Sequence, residues 1–137
     1  MSDIFDDDRY CFVCGEKNPH GLRLSPEGKD GRAIIHWTPE KRHQGYTGIV
    51  HGGLLSTVLD ESMAYAAMSI AGFSATVEIS VRFRKKVITG VPVKVKAELI
   101  EQRGRIMKLK ASLFQEGIEK ASAKATFISV PGERQDN

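Results

Sequence analysis

The sequence predicts an α+β domain in which a curved antiparallel sheet wraps around one long central helix. Three observations carry that prediction. The longest apolar segment, Gly48 to Ile70, has helical periodicity. Four later segments alternate apolar and polar residues with a period of two. Short glycine-bearing connections at Gly90, Gly104 and Gly117 separate those four, as a meander of neighbouring strands requires.

The helix reads from Leu54. Leu54, Leu55, Val58, Leu59, Met63, Ala66, Ala67 and Ile70 recur at three- and four-residue steps. Ser62, Ala64 and Ser69 fill the other faces with small side chains, so this is a core helix rather than a surface one. Asp60 and Glu61 interrupt it and it is short, which argues against a membrane span. Gly72 follows it as a C-terminal cap.

The remaining elements follow in order. Asp3 to Arg9 is acidic and reads as a loose segment or a short helix, and residues 1–20 as an extension and loop. Leu22–Ser25 and Arg32–Thr38 read as a hairpin, with Glu27 to Gly31 supplying the positive-φ residues of the turn. Pro39 to Tyr46 is a polar connection. The four alternating strands run Thr76–Arg84, Val93–Ile100, Met107–Leu113 and Ala121–Val130. Each has one polar face, the pattern of a sheet covered on one side. One buried helix followed by such strands means that the sheet curls around the helix.

Two features of the helix point to chemistry. Gly52 and Gly53, after His51, leave the first backbone N–H groups uncovered by any Cβ, so a substrate oxygen can approach the positive end of the helix. Seven positions after Gly53, Asp60 returns to nearly the same face, about two turns or roughly 10 Å along the axis. A carboxylate among apolar neighbours is partly desolvated, which costs stability unless it is paired or used. The plainer alternative is that the glycines only start a helix and Asp60 caps a neighbour. Glu61 points about 100° away around the helix. His51 is either a general base or, in the favoured reading, an orienting hydrogen-bonding residue. Arg82, Arg84, Lys85 and Lys86 form the densest basic cluster, suited to phosphates or else simply a solvated sheet face.

Length and charge set the outer bounds. A chain of 137 residues is one domain, residues 1–137, with room for a sizeable core. A net charge of +3 does not indicate nucleic-acid binding. No signal-type or membrane-spanning segment is read, and two cysteines make no disulfide framework, so a cytoplasmic setting is the expectation. No cofactor is expected. Cys11, Cys14 and His20 could seed a zinc site, but zinc wants four ligands and no second cysteine pair exists. A shaped loop with two small thiols is the favoured reading, and the expectation is no metal.

The element order and the stretch GIVHGGLLSTVLDESMAYA, with the opening CFVCGEKNPHGL, resemble the hotdog-fold acyl-CoA thioesterases of the phenylacetyl-CoA thioesterase (PaaI-like) type. The resemblance covers nearly the whole chain. It implies a homodimer or homotetramer with the active site at a subunit interface, and an acyl-CoA substrate. The Gly52 N–H would hold the thioester oxygen, with Gly53 beside it, and Asp60 would be base or nucleophile. Thr76, on the strand after the helix, would come from the partner subunit. Some relatives carry Asn six residues before the histidine; that position here is Gly45, and the adjacent Gln44 is the candidate substitute. Two alternatives stay open, a hotdog hydratase or dehydratase acting on 3-hydroxyacyl thioesters, and a non-catalytic acyl-CoA binding module. Neither nucleic acid nor membrane is an expected partner.

Overall fold

The computed structural model describes residues 4–134. One helix, α1 (Gly52–Ala71), lies on a six-stranded antiparallel sheet made of β2 (Glu27–Lys29), β3 (Arg32–Trp37), β4 (Ser74–Phe83), β5 (Val93–Arg103), β6 (Ile106–Gln115) and β7 (Ile118–Ser129). The spatial order is β2-β3-β5-β6-β7-β4. A separate parallel pair joins β1 (Phe5–Asp7) to β8 (Gly132–Arg134). This is the hotdog arrangement.

The inward faces follow the alternation in the sequence. Val93, Val95 and Ala97 of β5, Met107, Leu109, Ala111 and Leu113 of β6, and Ala121, Ala123, Ala125 and Phe127 of β7 are all buried. Leu55, Val58, Leu59, Met63, Ala66 and Ala67 of α1 are buried too. Register explains how close the helix can lie. Ala33 pairs with Ala97, Ala97 with Ala111, and Ala111 with Ala123, so a row of alanines crosses four strands. Side chains that short leave a trough, and the helix fills it.

Three expectations are corrected. The four strands are not one meander: β5, β6 and β7 are, but β4 pairs with β7 at the far edge. The Gly90 connection is therefore a crossover that carries the chain from one edge to the interior of the sheet. The first hairpin strand is Glu27–Lys29, closed by the positive-φ pair Asp30-Gly31. Leu22 and Leu24 instead donate backbone bonds to Phe12 and Val13 at 2.8 Å each, which ties the N-terminal loop down. Finally, the acidic segment contains strand β1 rather than a helix or loose chain, while Asp3 lies outside the described residues.

Gln115 holds the crossover. It occupies the inward parity of β6, where its neighbours are apolar, and is 1% exposed. Its side chain accepts from the Ile88 N–H at 3.0 Å and donates to the carbonyls of Ile88 at 2.9 Å and Val91 at 3.0 Å. The crossover in turn docks on the segment before α1, through Val50 N–H to the Val87 carbonyl at 2.8 Å and Thr89 N–H to the Gly48 carbonyl at 3.1 Å. Residues 84–91 are thereby laid beside the start of the helix.

Candidate active site

The two glycines stand at the head of α1, directly after its N-cap. An α-helix leaves its first four N–H groups without intrahelical partners. Here three are taken. Gly53 N–H donates to His51 Nδ1 at 2.9 Å, Leu54 N–H to the His51 carbonyl at 3.0 Å, and the N–H of His51 itself to the His43 carbonyl at 2.9 Å, while Leu55 N–H makes the first regular helix bond, to the His51 carbonyl at 3.2 Å. Gly52 N–H has no partner among the described residues. His51 is thus the N-cap, its Nδ1 acting as acceptor, which puts the ring proton of the neutral imidazole on Nε2.

The two glycines play different parts. A Cβ at Gly53 would lie 3.0 Å from His51 Nδ1, so glycine there makes room for the capping ring. A Cβ at Gly52 would make only ordinary contact with the Phe83 ring, at 3.5 Å. Gly52 is tolerant as packing, and what its missing side chain leaves open is a cleft. That cleft, of about 680 Å³, is lined by His51, Gly52, Phe83, Arg84, Lys85 and Lys86, among others.

The segment before the helix is braced by His43. It is 5% exposed, its Nδ1 accepts from the Glu40 N–H at 2.8 Å, and its carbonyl accepts from the His51 N–H at 2.9 Å. Burial lowers its pKa, with the neighbouring Arg42 charge acting in the same direction. The sequence reading passed over His43 as part of a polar connection.

Asp60 lies farther down α1, half-buried, where its Oδ1 accepts from Thr76 Oγ1 at 2.7 Å. Burial raises its pKa, and the Thr76 hydrogen bond partly opposes that. The Thr76 hydroxyl that reaches Asp60 here is that of the same chain. Asp60 does not line the cleft at the head of the helix. Eight residues separate it from Gly52, about 12 Å along a helix.

The other candidates divide. Arg84, Lys85 and Lys86 border the cleft; Arg84 Nε also lies 3.3 Å from Glu119 Oε2. Arg82 is exposed on β4 and off the cleft lining. Gln44 is not on that lining, and its Oε1 accepts from the Gly48 N–H at 3.1 Å, which makes it a loop brace. His20 is exposed and does not join the two cysteines. Glu61 does, and only the fold could bring it there.

The edge strand beside this site exposes two large apolar side chains among polar ones. On the edge strand β4, Val77 and Phe83 are 60% and 54% exposed, and Val77 sits at a register shift between Thr76 and Glu78. No helix among the described residues is long and apolar enough to cross a membrane.

Comparison with known proteins bears on the family and the fold. Residues 47–122 match the family model of the thioesterase superfamily. No curated protein matches the chain by sequence. A conserved protein of Pseudomonas aeruginosa superposes with a TM-score of 0.73 at 25% identity, over 78% of this chain and 88% of its own. The E. coli PaaI protein from the phenylacetic acid degradation operon gives 0.77 at 16% identity, over 83% and 84%. A Streptococcus mutans UA159 protein bound to acetyl CoA gives 0.74 at 18% identity, over 82% and 91%. At 16% and 18% identity the last two likenesses speak for the fold alone.

Proposed function

This chain belongs to the thioesterase superfamily, and from that premise we propose that it hydrolyses an acyl-CoA thioester to the free acid and CoA. The observation that carries the reading is the accounting of donors at the head of α1. Three of the four N–H groups are satisfied, and the one left over, Gly52, opens on a cleft bordered by Lys85 and Lys86.

The chemistry follows from those parts. Attack on a thioester places negative charge on the carbonyl oxygen, and a fixed N–H at a helix start stabilises it without reorganising. The CoA thiolate is a good leaving group, so no strong general acid is needed. Arg84, Lys85 and Lys86 offer charge to the CoA phosphates. Asp60, held by Thr76, is the base that deprotonates water or the nucleophile itself. A desolvated carboxylate with a raised pKa is a better base than an exposed one, which supports either role.

One carbonyl cannot touch both Gly52 and Asp60 of the same rod-like helix across about 12 Å. We therefore assign the two groups of each site to two copies of the chain, a homodimer or a pair of them. The unpaired edge of β4, with Val77 and Phe83 exposed, is the surface such a partner would cover. An acyl-CoA substrate is in keeping with the acetyl CoA bound to the S. mutans protein, which shares this fold.

Release of free thiol from a panel of acyl-CoAs tests the activity, and sedimentation of the same preparation tests assembly. An active monomer at micromolar concentration would refute the two-copy site. No thiol release from any member of the panel would refute the hydrolase and favour an acyl-CoA binding module. Single turnover in isotopically labelled water separates the two roles of Asp60. Label goes to the product acid if water attacks directly, and can enter the Asp60 carboxylate if an anhydride forms.

A further inference from the structure

Outside that site, one cluster of reactive side chains has no task. Cys11, Cys14 and Glu61 bring a sulfur, a sulfur and a carboxylate oxygen within 4.8 Å of one another. The cysteines come from the N-terminal loop and the glutamate from α1, so the cluster is a product of tertiary packing. We propose that these three residues bind a divalent transition-metal ion of the zinc class, with its fourth position open to the adjoining cleft.

The loop is shaped to present two thiolates to one point. In Cys11-Phe12-Val13-Cys14-Gly15 the Val13 N–H donates to Cys11 Sγ at 3.4 Å, and the Gly15 N–H donates to the Cys11 carbonyl at 2.9 Å. An amide aimed at the first sulfur stabilises it as a thiolate, the form that ligates metal. Gly15 is what lets the turn close, because a Cβ there would stand 2.3 Å from the Cys11 nitrogen and 2.5 Å from its carbonyl oxygen. Val13, buried between the two cysteines, anchors the turn in the core.

Glu61 supplies the second, independent observation. Its Oε2 is cut off from water and has no hydrogen-bond partner among the described residues. A buried carboxylate oxygen without a partner is costly and calls for one, and a cation is the partner that a pair of thiolates beside it would share. A tetrahedral zinc ion, about 2.3 Å from sulfur and about 2.0–2.2 Å from a carboxylate oxygen, holds its ligand atoms roughly 3.5–4 Å apart, within the spread seen here. Sulfur ligands select zinc over magnesium or calcium. The neighbouring cleft, of about 400 Å³ and bordered by Tyr65 and Met68, leaves room for a water in the fourth position. The ion would fasten the N-terminal loop to the turn of α1 that also carries Asp60. None of this depends on the thioesterase reading.

Cobalt(II) is the probe, added to full-length protein that has been reduced and stripped with a chelator. The expected result is one cobalt per chain, with a sulfur-to-cobalt charge-transfer band and a tetrahedral visible spectrum, both abolished by zinc. Cys11→Ser/Cys14→Ser should lose the band and retain no metal. Glu61→Gln should keep the band but bind more weakly, by at least the roughly 10–100-fold that losing even an outer-shell partner costs. Absence of the band in the reduced wild-type protein would overturn the proposal and leave an ordinary dithiol. So would a double-serine variant, folded by circular dichroism, that binds cobalt as tightly as wild type. A Glu61→Gln variant with unchanged affinity would overturn the three-ligand site.

Discussion

Asp60→Asn separates catalysis from folding more cleanly than any other single change in this protein. Asp60 Oδ1 accepts one hydrogen bond, from Thr76 at 2.7 Å, and the amide oxygen of asparagine can accept the same bond. The variant exchanges a charge-assisted bond for a neutral one, a loss of about 1 kcal/mol. It also relieves the desolvation that raises the Asp60 pKa, which acts in the opposite direction. The net change in stability is therefore within about 1 kcal/mol, or roughly 3–5 °C in Tm for a domain of this length. Turnover behaves differently. An amide neither takes a proton from water nor attacks a thioester, so kcat should fall by about 10²–10⁴, equivalent to roughly 3–5 kcal/mol of barrier. Thiol release and thermal melting on the same preparation give both numbers. Near-wild-type kcat would remove Asp60 from the mechanism. Lost activity accompanied by a Tm lower by far more than 5 °C would make Asp60 a structural residue and undo the reasoning.

Other expectations follow from the same geometry. Gly52→Ala places a Cβ in ordinary contact with Phe83, so Tm should hold or rise by under ~1 kcal/mol equivalent. Its kcat should fall toward the roughly 100-fold or greater loss typical of an impaired oxyanion donor; unchanged kcat would make Gly52 a helix-start residue only. Gln115→Leu strands the N–H of Ile88 and the carbonyls of Ile88 and Val91, and at about 1 kcal/mol or more per orphaned buried group it should cost roughly 3 kcal/mol. Amide exchange should quicken across residues 84–91 in that variant, and protection equal to wild type would refute the brace. His43 is held neutral by burial, with its folded pKa below the ordinary 6.5. The unfolded chain then takes up the proton first, so stability is complete above 6.5 and declines as pH falls from there toward the folded value. His43→Gln should flatten that decline in Tm, and parallel curves for the two proteins would refute it.

What the sequence disclosed and what it withheld divide along a physical line. Period-2 alternation reports which face of a strand is buried, and the inward residues of β5, β6 and β7 were all legible from it. It does not report which strand lies beside which, so the placement of β4 beyond β7 could not be read. The two-residue turn at Asp30-Gly31 was marked by its residues, yet the strand entering it was placed too early, because Leu22 and Leu24 look like strand residues while bonding to the N-terminal loop. Gln115 had a signal that went unused: it continues the inward parity of Met107, Leu109, Ala111 and Leu113, where a polar side chain needs buried partners.

The candidate site obeys the same division. Helical spacing brought out His51, Gly52 and Asp60 because all three stand on or beside one element; the family resemblance, not the spacing, singled out the Gly52 N–H, which has no partner among the described residues. Spacing could not say that Thr76 would reach Asp60 within the same chain, nor that Glu61 would meet Cys11 and Cys14, since those contacts join elements 16 and about 50 residues apart. Spacing along a helix also fixes a distance that no refolding of loops can shorten. Gly52 and Asp60 are held about 12 Å apart by the rod between them, whereas an oxyanion donor and an attacking group must both lie about 3 Å from one reacting centre. If both residues act, they act on different substrates within any one chain, and each site is finished by a second copy. That conclusion rests on helix geometry alone, which is why the mass of the active species bears on the mechanism as directly as any substitution.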